Sequence, residues 1–223
     1  MKGKHNYIYI FMTVLGLLSF VGICAVYPGL PDIIPVHYDF NGEVNGYGSK
    51  ATLFAMGAMP VGFPLLFWAL PKIDPRRKNY DKHKKAYDII SIFISIFPIL
   101  MIWTMVFQAM GYNMQIGRVI PALVGILFIV IGNYMPQIRP NYFMGIRSPW
   151  ALDNPYVWKK THTFGGIVFC IMGVVMMAAP FLSEALGTPL VIGALLGGAV
   201  LTYLYSYIIY LKDKKNKDQT AKK

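Results

Sequence analysis

The sequence predicts an all-α, polytopic membrane protein of about six transmembrane helices, with both termini cytoplasmic. Composition gives the first sign: of 223 residues 56% are hydrophobic and only 14% charged, and mean hydropathy is +0.48. That is too apolar for a soluble domain of this length. Apolar runs give the second. A helix needs roughly 20 residues to cross a hydrocarbon core of about 30 Å, and such runs fall at about 7–27, 51–71, 87–110, 118–135, 164–182 and 189–211. Charge placement gives the third. With the N-terminus inside, all of the 21 lysines and arginines except Lys50 and Arg118 lie on the cytoplasmic side, the positive-inside bias in strong form.

A formal charge of +11 would raise nucleic acid as a partner in a soluble protein. Here the basic residues border the membrane, so they read as topology determinants drawn to anionic lipid at about 1 kcal/mol each. The bilayer is the expected partner, and no direct nucleic-acid contact is expected. Cys24 lies near the outer end of the first run and Cys170 near the inner end of the fifth. They differ in depth by far more than the roughly 4.4 to 6.8 Å a disulfide allows between Cα atoms, so both are packing residues.

The first run follows a short basic N-terminus and is longer than a signal-peptide core, with no small-x-small cleavage site after it. It is an uncleaved helix. Next, Pro28, Pro31 and Pro35 keep the chain extended. Val36, Tyr38 and Phe40 then alternate with His37 and Asp39, and Asn41-Gly42 offers a type I′ turn. These predict a small extracytoplasmic hairpin-like loop. His37, Asp39 and Glu43 invite a metal hypothesis, and Asp39-x-Asn41-x-Glu43 begins like a calcium loop. The pattern then fails, with Val44 where glycine belongs and Lys50 where the final acid belongs. No metal and no cofactor is expected.

The second run carries Pro60 and Pro64, which kink a membrane helix and free carbonyls for neighbours. The basic loop KIDPRRKNYDKHKK, a run holding Pro98, Trp103 and Gln108, a short outer turn and a fourth run follow. Asn133 to Gly166 is the most informative stretch. Pro136, Pro140 and Pro149 break helix through its first half, and Gly145 sits beside Arg147 where backbone freedom is useful. Asp153-Asn154-Pro155 gives an N-cap with proline at the first helical position, so a helix from about Pro155 runs into the fifth run. Trp158, Lys159 and Lys160 suit an interfacial belt. Asn141, Arg147 and Ser148-Pro149-Trp150 are not explained by it. Gly193-x-x-x-Gly197 predicts close helix contact inside the monomer, and residues 212–223 read as a basic, disordered cytoplasmic tail.

No ionisable residue lies deep in a run, which counts against proton-coupled transport. HExxH, G-x-S-x-G and P-loop patterns are absent. No enzyme is expected and no catalytic residue is assigned, although Arg147 and His162 together would suit a phosphate or carboxylate on the inner face.

PNYFMGIRSPWALDNPYVWKKTHTFGG resembles the signature of the SdpI family of bacterial membrane proteins. The match falls on Asn133, Pro136, Asn141, Gly145, Ile146, Arg147, Pro149, Trp150, Leu152, Trp158, Thr161, His162 and Gly165. Ser148 and Ala151 stand where threonines are expected. Pro31, Ile34, Pro35, His37, Gly42, Gly46, Gly48 and Lys50 resemble the uncharacterised N-terminal domain that usually precedes that signature. The resemblance divides a single membrane domain, residues 1–211, into an N-terminal part at about 10–60 and an SdpI-like part at about 118–205. It implies a plasma-membrane immunity protein that protects the cell from a secreted membrane-active peptide toxin. It also implies a receptor that recruits a cytoplasmic transcriptional repressor. Candidate binding residues on the inner face are Asn141, Gly145, Arg147, Pro149, Trp150, Trp158, Thr161 and His162; those of the outer loop are Pro35, His37, Asp39, Gly42 and Lys50. We expect Arg147 to pair with inner-face carbonyls or with Asp153, and Trp150 to pack on the bundle. A small-solute or lipid transporter is the alternative, and it predicts a polar mid-membrane cavity around Gln108, Pro98 and Trp103.

Overall fold

A computed structural model describes residues 6–39 and 42–221. Six of its helices are long and apolar enough to cross a membrane: α1 (Asn6–Val26), α2 (Thr52–Ile73), α3 (Lys84–Ala109), α4 (Ile116–Tyr134), α6 (Pro155–Ala178) and α7 (Glu184–Ala221). A five-residue helix, α5 (Pro149–Asp153), precedes α6. Between α1 and α2 lies the expected hairpin, strands β1 (Ile33–Tyr38) and β2 (Val44–Ser49) paired antiparallel from Ile33 opposite Ser49 to Tyr38 opposite Val44. The Gly42 N–H donates to the Asp39 carbonyl at 3.1 Å, and Gly42 holds φ at +83°. Asn41, which supplied half of the turn signal, lies outside the described residues.

The hairpin is fastened to the bundle by its buried side. Ile34 is fully buried among Ile23, Leu30, Leu53, Ile102 and Val106, so one apolar cluster joins α1, α2, α3 and β1. Gly42 lies against the Gly117 backbone at the start of α4, where a Cβ would clash. Lys50 completes the attachment: its ammonium donates to the Leu30 carbonyl at 3.0 Å, pairs with Asp32 at 3.1 Å and lies 4.8 Å from the Tyr27 ring centre.

Helix contacts follow the small residues. Gly16 of α1 rests on the carbonyl of Pro60 in α2, an oxygen left without a helical donor because Pro64 has no N–H. Helix α4 packs on α6 in the same way. A Cβ on Gly132 would fall 2.6 Å from the Gly166 oxygen and one on Gly166 2.6 Å from the Gly132 oxygen; Gly125 and Gly173 face each other in the same way. Only glycine permits such backbone approach.

Two expectations are corrected. Among the described residues Gly193 and Gly197 make no close contact in the monomer; none of them lies within 4 Å of a Cβ at either, whereas Gly198 packs on Met172 and Val168. The spacing was right, but that face of α7 points away from α6. The tail is also helical, because α7 continues through Lys212 to Ala221. Asp213 anchors this extension, accepting from Asn154 Nδ2 at 2.7 Å and pairing with Lys217 one turn on at 2.7 Å.

Candidate functional site

At the end of the bundle opposite the hairpin, the α2–α3 connection meets the segment between α4 and α6. Asp74 closes α2 and is buried. Its carboxylate accepts from the Arg76 N–H at 2.7 Å, the Tyr80 hydroxyl at 2.8 Å and the Tyr142 N–H at 2.9 Å. The 3-10 turn Arg77–His83 follows. From it Asn79 donates to the Pro140 carbonyl at 2.8 Å, and His83 Nδ1 accepts the Arg139 N–H at 3.2 Å. Arg76 reaches across to the Leu152 carbonyl at 2.9 Å. One loop therefore supplies the partners that the backbone of residues 139–152 lacks. Buried irregular backbone must have its polar groups satisfied by protein in this way.

Further groups are satisfied by Asn141 within the segment and by Trp158 and His162 of α6. Asn141, fully buried, donates to the Arg139 and Met144 carbonyls at 2.9 and 3.1 Å and accepts the Phe143 and Met144 N–H groups at 2.9 and 2.7 Å. Its side chain thus holds a tight loop closed. Gly145 has φ +106°, and a Cβ there would run into His162 Nε2. That nitrogen accepts the Ile146 N–H at 3.0 Å, while Nδ1 faces the Trp158 carbonyl at 2.8 Å. Nδ1 must donate to a carbonyl, so the ring is the neutral Nδ1–H tautomer with both nitrogens committed. Trp158 stacks on this ring at 4.1 Å and donates its indole N–H to the Ile138 carbonyl at 2.8 Å.

Beside this centre lies a buried hydroxyl group of three. Ser148 caps α5 by accepting the Ala151 N–H at 3.2 Å, and its Oγ lies 2.6 Å from Ser206 of α7, to which Thr161 also donates at 3.0 Å. Ala151 is fully buried beneath it. Asn154 caps α6 through the Tyr156 and Val157 N–H groups, and Pro155 opens that helix as its spacing requires. Trp150 packs on Tyr203 and Tyr207. The structure thus brings Asn141, Gly145, Trp158, Thr161 and His162 into one interlocked body with α5 laid against it. Arg147 stands at its edge: exposed, it donates to the Tyr142 carbonyl at 2.6 Å. Of the two partners expected for it, the structure shows the carbonyl.

In the hairpin the expected residues are dispersed. His37 is exposed and its Nδ1 pairs with Asn45. Asp39 accepts the Glu43 N–H at 2.8 Å, Pro35 stands opposite Tyr47, and Gly42 and Lys50 have the anchoring roles already described. Among the described residues no group of three or more His, Cys, Asp and Glu side chains is placed to hold a metal ion. The residues of the transporter alternative do not share a cavity wall: Trp103 donates to Ser19 at 2.9 Å, Gln108 accepts the Met114 N–H at 3.2 Å and Pro98 is buried within α3.

Sequence reasoning missed Asp74, Asn79, Tyr80 and His83, which stand in a run dominated by lysine and arginine. A carboxylate directly before Pro75 at the end of a helix was the available sign. It also missed Ile33 and Tyr47, which the two-residue period of the strands leaves exposed on the outer face.

Comparison with known proteins agrees with this architecture. Residues 137–206 match the model of the SdpI/YfhL protein family, and residues 14–60 match a domain of unknown function, DUF1648. The chain is therefore similar to SdpI/YfhL-family proteins over the irregular segment and its last two helices. A curated relative named "Immunity protein SdpI", from Bacillus subtilis (strain 168), is 26% identical over 203 residues, 91% of this chain and 96% of the relative. No solved structure matches the chain. The SdpI/YfhL match begins in the irregular stretch after α4 and ends at Ser206, so it covers the Asn141–His162 body and the α7 serine bonded to it. These similarities and the six apolar helices together place the chain in the bacterial cell membrane as a multi-pass protein in contact with lipid.

Proposed function

We propose that this chain is an SdpI-like membrane immunity protein that protects its cell against a secreted, membrane-active peptide toxin. The observation that carries the proposal is the similarity to the Bacillus immunity protein along nearly the whole chain. The geometry supports recognition over turnover. His162 has no lone pair left for general-base work, and Arg147 lies outside on a backbone carbonyl.

The hairpin is the toxin contact. Its exposed residues include Ile33, His37 and Tyr47, with Ile33 and Tyr47 each about two-thirds exposed, and it is braced from below through Ile34 and Lys50 so that it can hold a shape against a peptide. The Asn141–His162 body, on the cytoplasmic side, couples that contact to a soluble repressor through its exposed edge at Arg147.

The test is survival of a toxin-sensitive bacterium expressing this chain, challenged with the secreted peptide encoded nearest to it, with membrane levels measured throughout. Wild type protects, Ile33→Ser/Tyr47→Ala and His37→Ala protect less, and Arg147→Ala retains protection while losing repressor recruitment. A wild-type chain that reaches the membrane at normal level and gives no protection refutes the immunity role.

A further inference from the structure

Between the starts of α1 and α3 and the end of α2 lies a cleft of about 430 Å³, within the roughly 300 to 1,000 Å³ of ordinary ligand sites. The Asn141–His162 body does not line it. Its floor is a closed polar group: Asp88, buried, accepts the Tyr9 hydroxyl at 3.0 Å and is ion-paired with Lys84. These charges cancel. Around the mouth stand Lys72, Arg77 and Lys78, all exposed, against one further acid, Asp81. Neither Arg77 nor Lys78 has a side-chain acceptor among the described residues. The third wall is apolar, made by Phe67, Trp68 and Pro71 of the spanning helix α2, with the Lys72 ammonium 2.6 Å from the Trp68 ring centre.

We propose that this cleft binds the phosphate-bearing headgroup of an anionic membrane lipid, with Arg77 and Lys78 on the phosphate and the Trp68 wall against the glycerol and the first acyl carbons. Charge sets the sign of the ligand, since the mouth keeps an excess of unpaired cations and the only other acid is internally neutralised. The wall sets the source. A free phosphate is held by donors converging from several sides, whereas this cleft has unpaired cations on its rim alone, Lys84 of the floor being paired with Asp88, and, on the side of a lipid-facing helix, an aromatic surface of the kind that lies at headgroup level. The site is independent of the immunity reading: a chain that protects against no toxin would still hold the lipid.

The test uses the full chain in neutral detergent, with phosphatidylglycerol and phosphatidylcholine added in equal amounts and bound lipid counted by native mass spectrometry. Phosphatidylglycerol is retained in preference to phosphatidylcholine. Arg77→Gln/Lys78→Gln weakens that retention roughly tenfold, the factor carried by a charge-assisted hydrogen bond of about 1.4 kcal/mol. Lys214→Gln/Lys215→Gln, on the exposed end of α7, retains the lipid as wild type does. Equal retention of the two lipids by wild type overturns the proposal without recourse to any variant. So does a folded Arg77→Gln/Lys78→Gln chain with unchanged retention. Thermal protection by inorganic phosphate equal to that by phosphatidylglycerol at the same concentration overturns the lipid as the source.

Discussion

Replacing Gly145 by alanine separates two effects that usually arrive together. Gly145 has φ +106°, and a methyl group there would enter the space of His162 Nε2. Gly111 has nearly the same conformation, φ +93°, with nothing within 4 Å of a Cβ. Both substitutions place an L side chain in left-handed backbone, which costs about 1 to 2 kcal/mol. Only at Gly145 must the imidazole also move. It then releases the Ile146 N–H, a half-buried donor whose loss costs about 1 to 3 kcal/mol. It also leaves its stack on Trp158, worth about 0.5 to 1.5 kcal/mol. Gly145→Ala should therefore be destabilised by about 3 to 6 kcal/mol and Gly111→Ala by about 1 to 2 kcal/mol. Reversible unfolding in mixed detergent micelles, with each variant compared to wild type, measures both. Combining Gly145→Ala with His162→Ala should cost less than the two single changes added, because the methyl then has nothing to displace. If Gly145→Ala unfolds no more readily than Gly111→Ala, His162 does not hold the loop and the body is wrongly described.

Asp74→Asn puts an amide N–H₂ toward one of three donors, so it should cost about 2 to 4 kcal/mol; limited trypsin digestion should then cut faster at Arg147. Gly166→Ala forces a carbon against the Gly132 carbonyl and should lose about 1 to 3 kcal/mol, whereas Gly193→Ala, in open space, should be neutral or slightly stabilising in the same unfolding experiment. Lys50→Met should lose about 1 to 2 kcal/mol through the buried Leu30 carbonyl. Asp32→Asn should leave stability within error, since the Asp32 side chain is 92% exposed; thermal melts of the two variants side by side decide which partner matters.

What could be read from the sequence was what is encoded locally. Asn154 before Pro155 announces a helix start by itself, and the alternation around His37 announces a strand, because each signal concerns residues a few positions apart. The partners of the Asn141–His162 segment could not be read. Asp74 and Asn79 lie more than sixty residues upstream, and nothing local distinguishes a carboxylate that will receive the Tyr142 amide from one scattered among lysines. The glycines teach the same lesson from the other side. Gly193 and Gly197 have the spacing of a close contact and no helix opposite, while Gly132 and Gly166 form one although they belong to different helices and share no motif. Helix proximity is a property of a pair, and a single stretch of sequence describes only one member.

The way residues 138–152 are held also orders events during biogenesis. Asp74, Asn79 and His83 leave the ribosome before this segment, but Trp158 and His162 leave after it. A nascent chain that stops short of Pro155 has four helices in the bilayer, an Ile138 carbonyl without its indole and an Ile146 amide without its imidazole. The joint between α4 and α6 therefore closes only once α6 has been made, and the Ser206 and Asp213 contacts of α7 are added later still.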